Sequence, residues 1–526
     1  MPTTTSNVSE TVSFSVDPAR VAQLTALVRS TTGETRVTTT PFTGEPLAEV
    51  PVSSLDDVDT AFDVARAVQP RWAATSLKQR SAALLRLHDL LLAHRDELTD
   101  LVQLESGKSR KNAHDEVVHL ALTARYYARR LRHLGSPERR VGVFPLLTSI
   151  TVNHVPKGVV GIISPWNYPL TMALADGLPA IAAGNVVVQK PDSQSPLTAL
   201  AAVELLRAAG FPADVWQIVS GAGSVVGTSI VEQSDYICFT GSTATGTGIA
   251  KLAAERLIGY SLELGGKNPM IVLPGADVEK AAQGAVGACF SSAGQLCVSI
   301  ERLYVHDSLY DDFRDAFVRR VQAISLGASL DWDVDMGSLV SASQLETIAK
   351  HVENAVANGA TVLAGGRARP DLGPYFYEPT VLEDVTDAAE CFAEETFGPL
   401  VSLYRYSGVE EAVELANAGN YGLNASIYGP VALAQSIAPR IVAGTVNINE
   451  GFAATFGSVD APMGGMRTSG TGRRQGDEGF YRYTETQAVG TQRLLPISGP
   501  PAVPAKPYAA ILTLLLRVLR RTTTRR

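Results

Sequence analysis

The chain has 526 residues, 45% of them apolar and 19% charged, which suits a soluble globular protein too long for one core. Its net charge of −8 argues against a nucleic-acid binder, which would carry a basic face. The four cysteines (Cys238, Cys289, Cys297 and Cys391) show no C-x-x-C spacing and no nearby histidine pair. That argues against a zinc site or a disulfide framework and for a reducing cytoplasm.

Residues 1–19 are Ser/Thr-rich without Lys or Arg, so neither a secretory n-region nor a basic transit helix is read there. From about Val58 to Leu134, apolar residues recur at three- and four-residue steps, which predicts helices packing one face on a sheet. TSITVNHVP, near Thr151, alternates apolar and polar residues and reads as an exposed strand. Between Val159 and Leu264 the short branched runs VVGII, VVVQ, WQIV, YICF and SLEL alternate with helix-length stretches, two of them closed by glycine. This predicts a parallel sheet with helices on both faces and ligands at the carboxyl ends of its strands. A second alternation runs from Asn268 to about Asn447, and RYTETQAVGTQ, near Tyr483, reads as the partner of the earlier exposed strand. The end of the chain, YAAILTLLLRVLRR after three prolines, is too short to span a bilayer, which takes ~20 apolar residues. It is open to three readings: a basic amphipathic surface anchor, docking on a neighbouring subunit, or disorder.

Several segments carry chemistry. Ser164-Pro165-Trp166-Asn167-Tyr168-Pro169 follows the first sheet strand, and its stiff loop offers the Asn167 amide as an oxyanion donor; taken alone, Asn167 is equally a turn residue. Lys190 ends the next strand, within reach of a ribose hydroxyl or phosphate. Thr240-Gly241-Ser242 through Gly246 leads from a strand into a helix whose N-terminus suits a pyrophosphate, although it is not the G-x-G-x-x-G pattern. Glu263 lies beside Gly265 and Gly266, and Cys297 follows Gly294. A lone free cysteine usually reads as a small buried apolar side chain. Paired with a carboxylate on a second glycine-loosened loop, it reads as a nucleophile whose thioester a base-activated water would hydrolyse.

PWNYP, QKPDSQSP, FTGSTATG, LELGGKNP, GQLC and EETFGP together resemble the aldehyde dehydrogenase superfamily, in its order and approximate spacing, from about Thr43 to Gln492. The resemblance implies an α/β fold with a Rossmann-type parallel-sheet cofactor domain (1–137 and 158–266), and an α/β catalytic domain (267–447). A returning loop (448–482) would line the substrate tunnel, a β oligomerisation arm (138–157 and 483–498) would build a homodimer or homotetramer, and a basic apolar tail (499–526) would follow. It implies Cys297 as nucleophile, Glu263 as general base and Asn167 as oxyanion donor. Ser164, Pro165, Trp166, Lys190, Ser193, Thr240, Gly241, Ser242, Gly246, Leu264, Glu395 and Phe397 are implied around the cofactor, with no metal.

Relatives that prefer NAD tend to carry a glutamate three residues after the lysine, where this chain has Ser193. A serine removes the repulsion of a 2′-phosphate, so NADP is expected, with NAD weaker. The whole-chain resemblance is to bacterial succinate-semialdehyde dehydrogenases, but the two arginines that hold the substrate carboxylate in better-known members are here Ala175 and Ser291. The tunnel is therefore expected to involve Tyr168, Ala175, Ser291 and Ser458, with Arg467 or Arg125 as alternative cations. A broad-specificity dehydrogenase of apolar or aromatic aldehydes is the alternative. A CoA-acylating enzyme is disfavoured by Glu263, and a structural protein on the same fold would not need all three catalytic residues. Whether Cys289 and Cys297 form a redox switch stays open.

Overall fold

A computed structural model of the chain describes residues 13–142, 148–493 and 498–520. Strands β1 (Thr35–Thr39) and β2 (Pro46–Pro51) form an antiparallel hairpin. Helices Leu55–Ala73 and Leu77–Ala93 follow, each opened by a capping box in which a serine and the side chain three residues on satisfy each other's backbone N–H. Helix Arg110–Leu134 buries Val117, Leu120, Ala124, Tyr127 and Leu131, a run at the three- and four-residue steps seen in the sequence.

The chain divides into two compact units, of which the smaller comprises Gly135–Val155 and Thr484–Arg526. It contains β3 (Glu138–Val141), paired antiparallel with β4 (Thr148–Pro156).

Besides the β1–β2 hairpin, the described residues of the larger unit form two larger sheets. In the first, β5 (Val159–Ile163), β6 (Val186–Lys190), β7 (Trp216–Ile218), β8 (Tyr236–Thr240) and β9 (Gly259–Glu263) run parallel. Val186–Lys190 is buried at every position, as a strand covered by helices on both faces must be. The second sheet comprises β10 (Asn268–Val272), β11 (Ile300–His306), β12 (Thr361–Ala364), β13 (Thr380–Glu383), β14 (Leu400–Tyr406), β15 (Asn424–Tyr428) and β16 (Thr445–Ile448), parallel except at β12. β17 (Gly470–Thr471) then pairs antiparallel with β9 and extends the first sheet to the order β17-β9-β8-β5-β6-β7. The stretch 448–482, expected only as a loop, thus supplies a sheet strand. β18 (Thr484–Gln492) completes the small sheet in the order β18-β4-β3, and helix Ala505–Leu519 follows in the tail.

Strand order reverses at β5, which has β6 on one side and β8 on the other. A crevice therefore opens between the loops that leave their carboxyl ends, the usual ligand position in such sheets. Two buried carboxylates fix these loops. Glu116 accepts the N–H groups of Leu170 (3.0 Å) and Thr171 (2.9 Å) at the start of helix Pro169–Leu174. Glu105 does the same for Leu197 (2.7 Å) and Thr198 (2.8 Å) at helix Pro196–Ala208.

Candidate active site

The loop bearing Cys297 is an unusual backbone. Ser292 (φ 54°), Ala293 (φ 54°) and Gly294 (φ 69°) occupy left-handed conformations in succession. Glycine is required at 294, because a Cβ there would lie 2.1 Å from the carbonyl oxygen of Gly398. The coil is tied down from outside: Ser292 donates its N–H to Asn112 Oδ1 (2.9 Å), while the Asn268 amide donates to the carbonyls of Cys297 and Ser299 (2.8 Å each). Such a site held by its surroundings carries the strain expected at functional positions.

The coil delivers the thiol into a cavity of about 260 Å³ lined by Asn167, Tyr168, Glu263, Cys297, Glu395 and Phe397, among others. Pro165, Trp166, Thr240, Gly241, Ser242 and Leu264 also line it, from the carboxyl ends of β5, β8 and β9. A larger surface groove of about 740 Å³ lies elsewhere; it has no thiol, and its Arg320 is already paired with Glu279 at 2.6 Å. Tyr168 is held by the Lys108 ammonium 3.3 Å from its ring centroid, and that ammonium is in turn 2.6 Å from Glu116. Asn167 Nδ2 donates to the Gln295 carbonyl at 3.1 Å, placing its amide against the thiol loop.

Sequence reasoning missed one charged residue in this cavity. Arg474 is buried, donating to Asp176 Oδ2 (3.1 Å) and Thr240 Oγ1 (3.0 Å). Its Nε lies 3.7 Å from Glu263 Oε1, and neither atom has a hydrogen-bond partner among the described residues. The run Gly472-Arg473-Arg474 showed no periodicity; it follows β17, which pairs with β9, and Arg474 forms an isolated antiparallel bridge with Met463.

Burial dominates the ionisation here. It pushes Glu263 up to about 7, with Arg474 pulling against it and Asp176 adding to it. Burial likewise pushes the Cys297 thiol up to about 12; Arg474 lowers it, whereas Glu263 and Glu395 raise it. Glu395, pushed up by burial to about 8, accepts the Gly266 N–H at 2.7 Å. A carboxylate so desolvated, beside an open helix N-terminus where the Ser242 side chain caps Thr245 N–H, suits sugar hydroxyls and a phosphate; the residues present fit a dinucleotide. Phe397 (φ 54°) sets its ring edge-on to Trp166, centroids 5.6 Å apart, at the same end.

Other expected residues lie outside the cavity. Ser164 accepts a hydrogen bond from Gln189, and Lys190 is buried with its ammonium donating to the Pro191 carbonyl at 3.1 Å. Ser193 is half-buried at the same strand end, 3.4 Å from the Gly221 carbonyl. Gly246 permits close packing of its helix, since a Cβ there would meet the Leu264 side chain at 2.5 Å. Of the four expected tunnel residues only Tyr168 lines the cavity. Ala175 ends helix Pro169–Leu174 and packs against the helical core. Ser291 turns back to donate to the Gly287 carbonyl (2.7 Å), beside a separate cavity with Phe290 and Met336. At the 456–458 loop it is Phe456 that reaches the cavity, two residues before Ser458. Neither alternative cation serves: Arg467 spends its guanidinium on the Asn417 and Gly419 carbonyls, and Arg125 is exposed on its helix. Cys289 packs in the core of the second sheet and Cys297 against Tyr168, Met172 and Leu296; both thiols are free.

A strained thiol loop facing a nucleotide-binding crevice and a buried carboxylate define a thiol enzyme on a dinucleotide-type sheet. The profile of the aldehyde dehydrogenase family matches residues 27–489, and the chain belongs to that family; it is an aldehyde dehydrogenase. Among similar proteins, one from Mycolicibacterium smegmatis bears the name "Putative succinate-semialdehyde dehydrogenase (NADP(+))". It is 49% identical over 506 residues, covering 96% of this chain and 98% of that one. The mitochondrial succinate-semialdehyde dehydrogenase of Oryza sativa is 35% identical, covering 87% and 86%. Among solved structures, the NAD+ complex of an aldehyde dehydrogenase from Bacillus cereus superposes with a TM-score of 0.85 at 34% identity, covering 91% and 99%.

Proposed function

We propose that the chain oxidises succinate semialdehyde to succinate with NADP, NAD serving less well. The observation that supports this most directly is the meeting of Cys297, Glu263 and Asn167 in one cavity with Glu395 and Phe397. A bound nicotinamide supplies the hydride acceptor. Cys297 gives up its thiol proton to water and adds as the thiolate to the aldehyde carbon, and the Asn167 amide donates to the oxyanion that forms. Loss of hydride leaves a thioester on Cys297 Sγ. Glu263, as the carboxylate, takes a proton from water, whose oxygen attacks the acyl carbon; the acid leaves and the thiol is restored. Lys190 and Ser193 are assigned to the adenosine ribose and its 2′-phosphate.

The substrate reading rests on the names of relatives at 49% identity over most of the chain. A second reading, an apolar medium-chain or aromatic aldehyde, is favoured by the side chains of Met172, Phe456 and Met463 in the cavity wall, where Arg474 is the single cation among the described residues and is already paired. Comparing kcat/KM for succinate semialdehyde and butanal separates them, because the two differ by one carboxylate on the same carbon skeleton. A strong preference for the semialdehyde supports the first reading, and a ratio near unity supports the second.

The same proposal includes a homodimer or homotetramer in the cytoplasm, assembled through the open edges of β3 and β18. Light scattering on the full chain tests the assembly, and a monomer would count against it.

A further inference from the structure

The tail helix Ala505–Leu519 has features that aldehyde oxidation does not use. Its 15 residues, at 1.5 Å each, extend ~22 Å, short of the ~30 Å hydrocarbon core of a bilayer, so it cannot cross one. At 100° per residue, Lys506, Thr513, Arg517 and Arg520 fall within one ~60° arc. Most of the remaining circumference is apolar, and this apolar surface is open: Ile511 is 60% exposed, Leu514 62%, Leu516 53% and Val518 59%. On its other side, Tyr508 and Leu512 are half-buried. An exposed run of this kind marks an interaction surface.

Charge narrows the choice of partner. After Glu485 the chain has no Asp or Glu, whereas Lys506, Arg517, Arg520, Arg521, Arg525 and Arg526 all fall in the tail, on a molecule whose net charge is −8. A second copy of the helix would bring cations against cations. An anionic bilayer surface meets both needs, with acyl chains for the broad apolar arc and negative headgroups for the cationic stripe. We propose that the tail helix lies flat on anionic membrane surfaces and holds the enzyme there.

The test is sedimentation of the full-length enzyme with vesicles of phosphatidylcholine alone and of phosphatidylcholine mixed with phosphatidylglycerol. The expected result is co-sedimentation with the mixed vesicles only, released by high salt. Reversing Arg517→Glu and Arg520→Glu should weaken binding roughly fivefold for each charge removed, and Leu514→Ser with Val518→Ser should weaken it without changing charge. A chain ending at Ser498 should remain in the supernatant with kcat/KM unchanged, which separates loss of anchoring from misfolding. Equal binding to both vesicle types, no binding to either, or a change in subunit number on truncation without vesicle binding would overturn the proposal.

Discussion

Replacing Arg474 with glutamine removes the cation nearest the carboxylate assigned as general base. At 3.7 Å, with an effective dielectric of ~20, the gross attraction between Arg474 and Glu263 is about 4.5 kcal/mol. Asp176, 3.1 Å from the same guanidinium, cancels part of it, and Arg473 and Arg482 act weakly in the same direction as Arg474. A net loss of roughly 1.4–2.8 kcal/mol corresponds to one to two pH units. Glu263 stands at about 7, already raised by burial, and the working form is the carboxylate, so kcat climbs with pH through that value. Removing Arg474 moves the climb upward by one to two units. Near neutrality kcat should fall roughly 5- to 50-fold and recover above pH 9. The assay is the pH profile of kcat together with the pre-steady-state burst of reduced cofactor, which reports acylation before the base acts. Arg474→Lys keeps the charge and should hold the profile close to wild type, which distinguishes electrostatics from packing. An unmoved midpoint in Arg474→Gln, with kcat lowered equally at every pH, would refute the reasoning.

Two further substitutions probe the nucleotide end. Ser193→Glu places a carboxylate where a 2′-phosphate is proposed to lie, and should lower the NADP:NAD ratio of kcat/KM by roughly tenfold or more; an unchanged ratio removes Ser193 from cofactor choice. Gly265→Ala would bring a Cβ within 2.2 Å of Glu395 Oε2, displacing the carboxylate. Overpacking of this kind costs about 1–3 kcal/mol, so cofactor affinity measured by tryptophan fluorescence should weaken about tenfold, while alkylation of Cys297 in the cofactor-free enzyme stays as in wild type. Unchanged affinity would mean that Glu395 does not contact the nucleotide.

In the first sheet β5, β6 and β8 were legible because each is a short, almost wholly buried, branched or aromatic run closed by a turn residue. Cys297, Glu263 and Asn167, which line one cavity, were singled out by the glycines and prolines near them together with the family resemblance. What escaped was set by a distant contact in one case and by local backbone geometry in the others. Arg474 lies more than two hundred residues from the strand it serves, held just past the two-residue β17 by an isolated bridge to Met463. Ala175 and Ser291 were expected at the tunnel by position along the chain, but a helix end turns one toward the core and a backbone carbonyl captures the other. Phe456 replaced Ser458 for an equally local reason, because the short helix Ala453–Phe456 decides which side of the loop faces inward.

The account depends most on a covalent acyl group at Cys297 that Glu263 releases. Glu263→Gln, mixed with succinate semialdehyde or butanal and NADP and quenched in acid, should yield one burst of reduced cofactor per chain. Peptide mass spectrometry should then find the matching acyl mass on the segment containing Cys297. An adduct on any other residue, or a burst that persists undiminished in Cys297→Ala, would contradict it.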